Sequence, residues 1–470
     1  MIFRVFLALL LAVRHGGAAS AGGYKQALTK SLLYFEAQRS GKLPSDQRVH
    51  WRGDSALKDG GDVGVDLVGG YYDSGDNVKF GFPMAFTITT LSWAALHFRH
   101  QLAAAGELNN ALAAISWGTD YFRRAHAAPD QLYVEVGDGD SDHACWQRPE
   151  DMTTPRTSYK VDGSNPGADV AGETAAAMAA ASLAFRPSDP RYADDLLSHA
   201  EQLFEFAKNH PGLYQNSVPV AANFYSSSGF EDELLWAAAW LHRATGKQSY
   251  LDFLAQSNNG GVRSMFSWDD KFAGAQLLVS KLILEKRVNA TGSMIQYKNS
   301  ADQFLCSLLQ RNPNNARLTP GGLLWFLPWN NLQYTTAALL LLSVHSDHLA
   351  AAGASLSCPS AAVSPPEIIS FVANQVDYLL GANPRNASYM VGFGRSSPAK
   401  VHHRGASIVS VAEDPTPVDC KGGFEEWFDS PDPNPNVIEG AIVGGPDAND
   451  GYEDDRSNYR LISGGGGRRR

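Results

Sequence analysis

The 470 residues hold no CxxC pair, no surplus of positive charge and, beyond the first twenty positions, no long apolar run. Each absence removes a class of protein. Four widely spaced cysteines (Cys145, Cys306, Cys358, Cys420) exclude a zinc cluster, whose ligands come in close pairs, and leave room for one or two disulfides in an oxidising compartment. Lys plus Arg number 39 against 49 Asp plus Glu, a net charge of −10. Nucleic acid and anionic membranes need a basic face, so neither is an expected partner. A neutral substrate and a monomer are expected instead. No Pro- or Ser-rich linker interrupts the chain, which predicts one domain, and no fixed-period repeat favours a solenoid. No DDxxD metal motif falls on a helical stretch, which argues against a terpene-cyclase type of helical barrel.

The first twenty residues differ from the rest. Arg4 precedes the run "VFLALLLAV", and small residues follow from Gly16 to Ser20. That is the layout of a secretory signal peptide (residues 1–20), with cleavage near Ser20, and the run is too short to span a bilayer. Removing it takes two arginines and moves the net charge to 37 − 49 = −12. The sequence predicts a soluble, exported chain. Sequons at Asn289 and Asn386 suit that route and predict a glycoprotein.

From there the regular signal is helical. In 189–210, Asp189 can cap and Pro190 open a helix whose stripe is Leu196, Ala200, Leu203, Phe204 and Ala207. In 366–380 the stripe is Ile368, Ile369, Val372, Val376, Leu379 and Leu380, ended by Gly381. Similar segments start near 24, 85, 107, 172, 231, 249, 269, 293 and 331, giving roughly eleven helices. Alanine-rich stretches such as "GETAAAMAAASLAF" place small residues on both faces, so helices can pack on two sides, as in a double-layered helical barrel. Gly, Asp, Trp and His concentrate in long intervening segments: 51–82, 130–170, 311–330 and 383–455. Such loops on a rigid scaffold carry function.

In "YYDSGDN" (71–77), Gly75 permits a tight turn that aims Asp73 and Asp76 at one spot, where two acceptors could orient a water and take its proton. The competing reading is an Asx turn or helix cap. "GDGDSDHACWQRPEDM" (137–152) offers His143 and Trp146: a sugar site with a stacking ring, or a buried Trp beside a bonded His. Its acids lack EF-hand spacing. In "KVHHRG" (400–405), His402 and Arg404 share a face of an extended chain and could hold hydroxyls or a carboxylate. Trp325, Trp329 and Tyr334 in "GGLLWFLPWNNLQY" are core or platform. "WRGDSA" lacks the leucine that a serine-esterase GDS motif carries and is set aside.

Taken together, "GGYYDSGDNVKFGFPMAFT", "DHACWQRPEDM", "PRTSYKVD", "DELLWAAAWLHRATG", "LLGANPRNASYMVGFG", "VHHRGAS" and "NPNVIEGAIVGGPDANDGYEDDR" resemble glycoside hydrolase family 9, most closely the secreted plant endo-β-1,4-glucanases. Similarity runs from about Tyr24 to Tyr459, so the catalytic domain is placed at 21–459. The resemblance implies an all-α fold, an (α/α)6 barrel with an open cleft, hydrolysing internal β-1,4-glucosidic bonds of cellulose-like glucans with inversion, in the cell wall. It implies Asp76 as the base that activates water and Asp73 as a second holder of that water. His402 and Asp454 match the family's two signatures. His143, Trp146, Trp329, Tyr334 and Arg404 match positions that contact glucosyl units. No cofactor is required; calcium binds some members through a Ser-Gly-x-x-Asp-Glu loop, matched by Ser228, Gly229, Asp232 and Glu233, for which an acid-rich helix start is the alternative reading.

Two departures stand out. Ser396 replaces a basic or asparagine residue six positions before the signature histidine. More seriously, the family continues past "DDRSNY" to a glutamate, the general acid, and one last helix. Here 460–470 reads "RLISGGGGRRR", an aberrant tail: the glutamate's position falls on Ser463, and no acidic residue follows Asp455. A hydrolase with a disabled acid, or a secreted glycan-binding protein without hydrolysis, are the two expectations.

Overall fold

In a computed structural model, which describes residues 21–462, burial alternates from helix to helix. Eleven helices of nine residues or more occur among the described residues: α1 (Ala21–Ala37), α2 (Gly81–His97), α3 (Leu108–Ala125), α4 (Ala168–Phe185), α5 (Pro190–Asn209), α6 (Glu231–Thr245), α7 (Gln248–Gln256), α8 (Phe272–Leu284), α9 (Gly292–Leu308), α10 (Asn331–Ala351) and α11 (Pro365–Leu380). The helix starts read from apolar periodicity lie within a few residues of these.

Even-numbered helices are buried nearly all round, the mark of an inner layer, and pack in the order α2, α4, α6, α8, α10. Odd-numbered helices are amphipathic or shorter and lie outside, α5 on α4, α7 on α6, α9 on α8 and α11 on α10. The fold is an (α/α)6 barrel. Its middle is filled by Trp93, Trp236 and Trp240, whose ring centroids lie 5.5–5.6 Å apart. The alanines of α4 leave only Leu183 incompletely buried, so the helix is contacted on every side. Gly172 shows how close the approach is: a Cβ there would sit 3.0 Å from Glu233 Cβ on α6.

The local signals hold. Asp189 accepts from Tyr192 N–H at 3.0 Å ahead of Pro190, and the α5 stripe is buried. Ser364 and Glu367 form a capping box on α11, which Gly381 ends at φ 125°. The two disulfides are Cys145–Cys420 and Cys306–Cys358.

At one end of the barrel a small antiparallel sheet sets the site. Strand β3 (Gln131–Val136) pairs with β1 (Lys79–Phe80), β2 (His126–Ala128) and β4 (Ser158–Asp162). β1 follows the 71–77 turn directly. Its Lys79 is fully buried, paired with Asp59 at 2.7 Å, and fixes the end of that turn. Burial holds the Lys79 ammonium down at a pKa of about 8. No helix of the described residues is long and apolar enough to cross a membrane. The signal-peptide assignment of 1–20, the acid's position at Ser463 and the expected absence of a twelfth helix fall outside the described residues.

Candidate active site

Three of the long loops, 51–82, 130–170 and 383–455, meet around β1, and the fourth, 311–330, is tied to the last of these through Gly321 N–H and Asp450. The Asp73–Asp76 turn closes through Gly75 N–H to Asp73 O (2.8 Å) and Asp73 N–H to Val78 O (2.9 Å). Glycine at 75 serves closeness rather than an unusual φ: a Cβ there would lie 2.5 Å from the His402 carbonyl oxygen. The 400–405 segment therefore sits directly on the turn. Arg404 seals the contact, donating from its backbone N–H (3.2 Å) and Nη1 (2.9 Å) to Gly75 O.

Asp76 is 7% exposed; Oδ1 accepts from Val78 N–H at 2.9 Å, while Oδ2 lies 3.9 Å from His143 Nε2. Burial, then the charges of Asp73 and Asp142, push its carboxyl well above the usual range against the pull of Arg404. Asp73 is also raised, chiefly by burial, and its Oδ2 accepts from the Tyr225 hydroxyl. His143 Nδ1 donates to Gly139 O at 2.7 Å, so Nε2 presents its lone pair toward Asp76. Burial, then Arg404, holds the His143 pKa down at about 4, so the ring is neutral near pH 7. A dry acid beside a neutral imidazole is a base poised to accept a proton.

Other predicted residues take different places. Arg404 is buried rather than lining the cleft: Nε, Nη1 and Nη2 donate to the carbonyls of Cys145, Gly75 and Asp142, and Nη2 pairs with the Asp142 carboxylate at 3.2 Å. Trp146 is 2% exposed, wedged between the Arg404 guanidinium at 4.9 Å and the rings of His402 and Phe428 at 4.9 and 4.8 Å. It offers no face for stacking. Tyr334 is likewise buried, on α10. Trp329 is half-buried against Tyr459 (5.1 Å), a ring 40% exposed that also nears His402 (6.0 Å). His402 Nδ1 donates to Arg456 O at 2.9 Å, and burial drops its pKa to about 3. Asp454 is not directed at the turn: its carboxylate accepts from Ala399 and Lys400 N–H (2.8 and 3.2 Å), bracing the chain before His402.

Of the calcium residues, Glu233 is fully buried and pairs with Lys271 (2.7 Å), and Asp232 accepts from Lys271 N–H (2.6 Å). Lys271 also faces Glu173 at 3.4 Å, leaving three carboxylates against one ammonium. Glu233 lies beside Asp232 and is already neutralised by Lys271, and the cluster of three metal-capable side chains among the described residues is elsewhere, at Asp76, Asp142 and His143.

Sequence reading missed Tyr225, Asp142 and Tyr459. Asp142 was the legible one, an acid beside His143; Tyr225 meets Asp73 across 152 residues, with no local signal.

This architecture and this carboxylate turn define a glycoside-hydrolase barrel. The chain belongs to glycosyl hydrolase family 9, whose profile matches residues 24–461. It is 60% identical over 458 residues to Endoglucanase 15 of Arabidopsis thaliana, covering 97% of this chain and 93% of that protein. Among solved structures, the endoglucanase of the termite Nasutitermes takasagoensis superposes with a TM-score of 0.80 at 43% identity, covering 93% of this chain and 94% of that one. Endoglucanase CelQ from Clostridium thermocellum, complexed with cellobiose and cellotriose, gives 0.76 at 30% identity over 94% of this chain and 67% of that one.

Proposed function

We propose that the chain is an endo-β-1,4-glucanase acting on internal bonds of cellulose-like glucans with inversion, and that Asp76 is its base. The observation that carries the assignment is the dry Asp76 carboxyl facing the neutral His143 Nε2 across 3.9 Å. A water donating one hydrogen to each would be held and aimed. Asp73, gripped by Tyr225, is the second acceptor. Trp329, with Tyr459 and the Arg460 guanidinium against its ring at 5.1 and 5.8 Å, and the partly exposed Tyr459 would be the aromatic contacts for glucosyl rings, and the cello-oligosaccharides bound by CelQ are the matching ligand class. Calcium held by Ser228, Gly229, Asp232 and Glu233 would tie the loop before α6 to the start of that helix, a structural role with no part in the chemistry. Export from a 1–20 signal peptide, into the cell wall, agrees with two disulfides and with exposed Asn289 and Asn386.

Inverting hydrolysis also needs an acid for the leaving oxygen. With Ser463 at its place, the 470-residue chain binds glucan and activates water but protonates a sugar leaving group poorly. That specific observation keeps a second reading, a glycan-binding protein without hydrolysis. Two measurements decide. Calorimetry with cellotetraose reports binding, and its absence from a folded sample removes both readings. Proton NMR of the first product from dinitrophenyl β-cellobioside shows the α-anomer if Asp76 delivers water from the far face; a β-anomer would contradict inversion.

A further inference from the structure

One residue outside these assignments reaches the turn from the barrel wall. Gln38 follows the last turn of α1 and is 4% exposed. Its Nε2 donates to Asp73 O at 2.8 Å, and its main-chain oxygen accepts from Tyr72 N–H at 3.0 Å. Its Oε1 faces His403 Nε2 at 2.7 Å. The direction of this chain is fixed. His403 Nδ1 accepts from Ala406 N–H (3.0 Å), so Nε2 carries the hydrogen and donates to Gln38 Oε1. That leaves the Gln38 NH₂ group turned toward Asp73. His403 is 4% exposed and neutral: burial, then Arg52, lowers its pKa to about 3.

Packing does only part of this job on the α1 side. A cavity of about 40 Å³ lies there, lined by Tyr34, Phe35, Gln38, Tyr72, Asp73 and Thr87 among others. A pocket large enough for a water leaves the turn with less side-chain packing on this side, so hydrogen bonds do more of the holding. Arg404 holds the turn at Gly75 O, two residues on. The Gln38 bond is its counterpart at Asp73 O.

We propose that Gln38 and His403 form a positioning relay that fixes the Asp73 carbonyl, and through it the aim of both carboxylates at the water. Neither touches substrate. Both act through the turn, and the inference rests on the base assignment of Asp76.

The test separates the two claims. On dinitrophenyl β-cellobioside, whose leaving group needs no proton, Asp76→Asn should abolish turnover by the full chain; that result concerns the base alone. Gln38→Met keeps the length of the side chain without the donor. It should lower kcat by about tenfold or more, while cellotetraose affinity stays within about twofold. His403→Gln, which keeps a donor near the Nε2 position, should retain more kcat than His403→Leu. Independently of turnover, ¹⁵N NMR of His403 should show the Nε2–H tautomer, exchange-protected in the parent and unprotected in Gln38→Met. A Gln38→Met enzyme with parental kcat overturns the relay. So does equal loss of kcat and affinity, or an Nδ1–H tautomer.

Discussion

Three carboxylates, Asp73, Asp76 and Asp142, crowd one turn, and the Arg404 guanidinium opposes them at Asp76. Asp142 Oδ2 is 3.2 Å from Arg404 Nη2, and its oxygens accept from Asn77 N–H at 3.3 and 3.4 Å. Its charge raises the Asp76 pKa, and it also neutralises part of the Arg404 charge that lowers it. Asp142→Asn removes both effects, and both removals act in one direction. The acid limb of kcat/KM, which reports protonation of Asp76, should move to lower pH; a limb that stays or rises contradicts the arrangement. Trp146, buried, and Trp329, half-buried, should respond differently to substitution. Trp146→Ala excavates a packed site and should cost about 3–5 kcal/mol of stability. Trp329→Ala should leave folding largely intact and weaken cellotetraose binding by on the order of 1 kcal/mol. Thermal melts and calorimetry read the two effects separately.

Helix α10 buries His345 completely, with both ring nitrogens lacking a hydrogen bond; Asp302 Oδ1 is 3.7 Å from Nε2, outside bonding distance. Burial, then Lys298, lowers the His345 pKa to about 3 against an ordinary value near 6.5. The folded-state pKa is depressed, so the unfolded chain binds the proton more readily. Stability from a neutral His345 is complete above about pH 6.5 and is lost as pH falls toward 3. His345→Leu should therefore raise Tm relative to the parent more at pH 5 than at pH 7.5; an equal shift at both would show that titration is not involved. Helices were the most legible level of this chain. Asp189, Pro190, Ser364, Glu367 and Gly381 act through neighbours in sequence, and 3.6-residue stripes need no knowledge of the partner helix. Burial of Trp146 and Tyr334 was not legible, because an aromatic side chain reads the same whether a guanidinium or a sugar covers it. Nor was the pairing of cysteines 275 and 52 residues apart, which only the closed barrel brings together.

At the scale of the molecule, four loops separated in sequence form one surface because each is tied to another: Gly75 to Arg404, Asn77 to Asp142, Gly321 to Asp450, Asn330 to Arg460. The turn proposed as the base half of the hydrolase, Asp73 and Asp76, belongs to that surface. The acid half is where the sequence departs from the family: by spacing, the glutamate's position falls on Ser463. A positioned acid contributes roughly 10²–10⁴-fold by protonating the leaving oxygen. The deciding measurement compares two substrates on the unmodified 470-residue chain, carboxymethylcellulose and dinitrophenyl β-cellobioside. The account predicts dinitrophenolate release that vanishes in Asp76→Asn, with almost no new reducing ends from carboxymethylcellulose. Vigorous, Asp76-dependent hydrolysis of carboxymethylcellulose would contradict it. Another group would then supply the proton, with Glu439, now paired to Lys30 at 2.9 Å, and Asp447 the first to test.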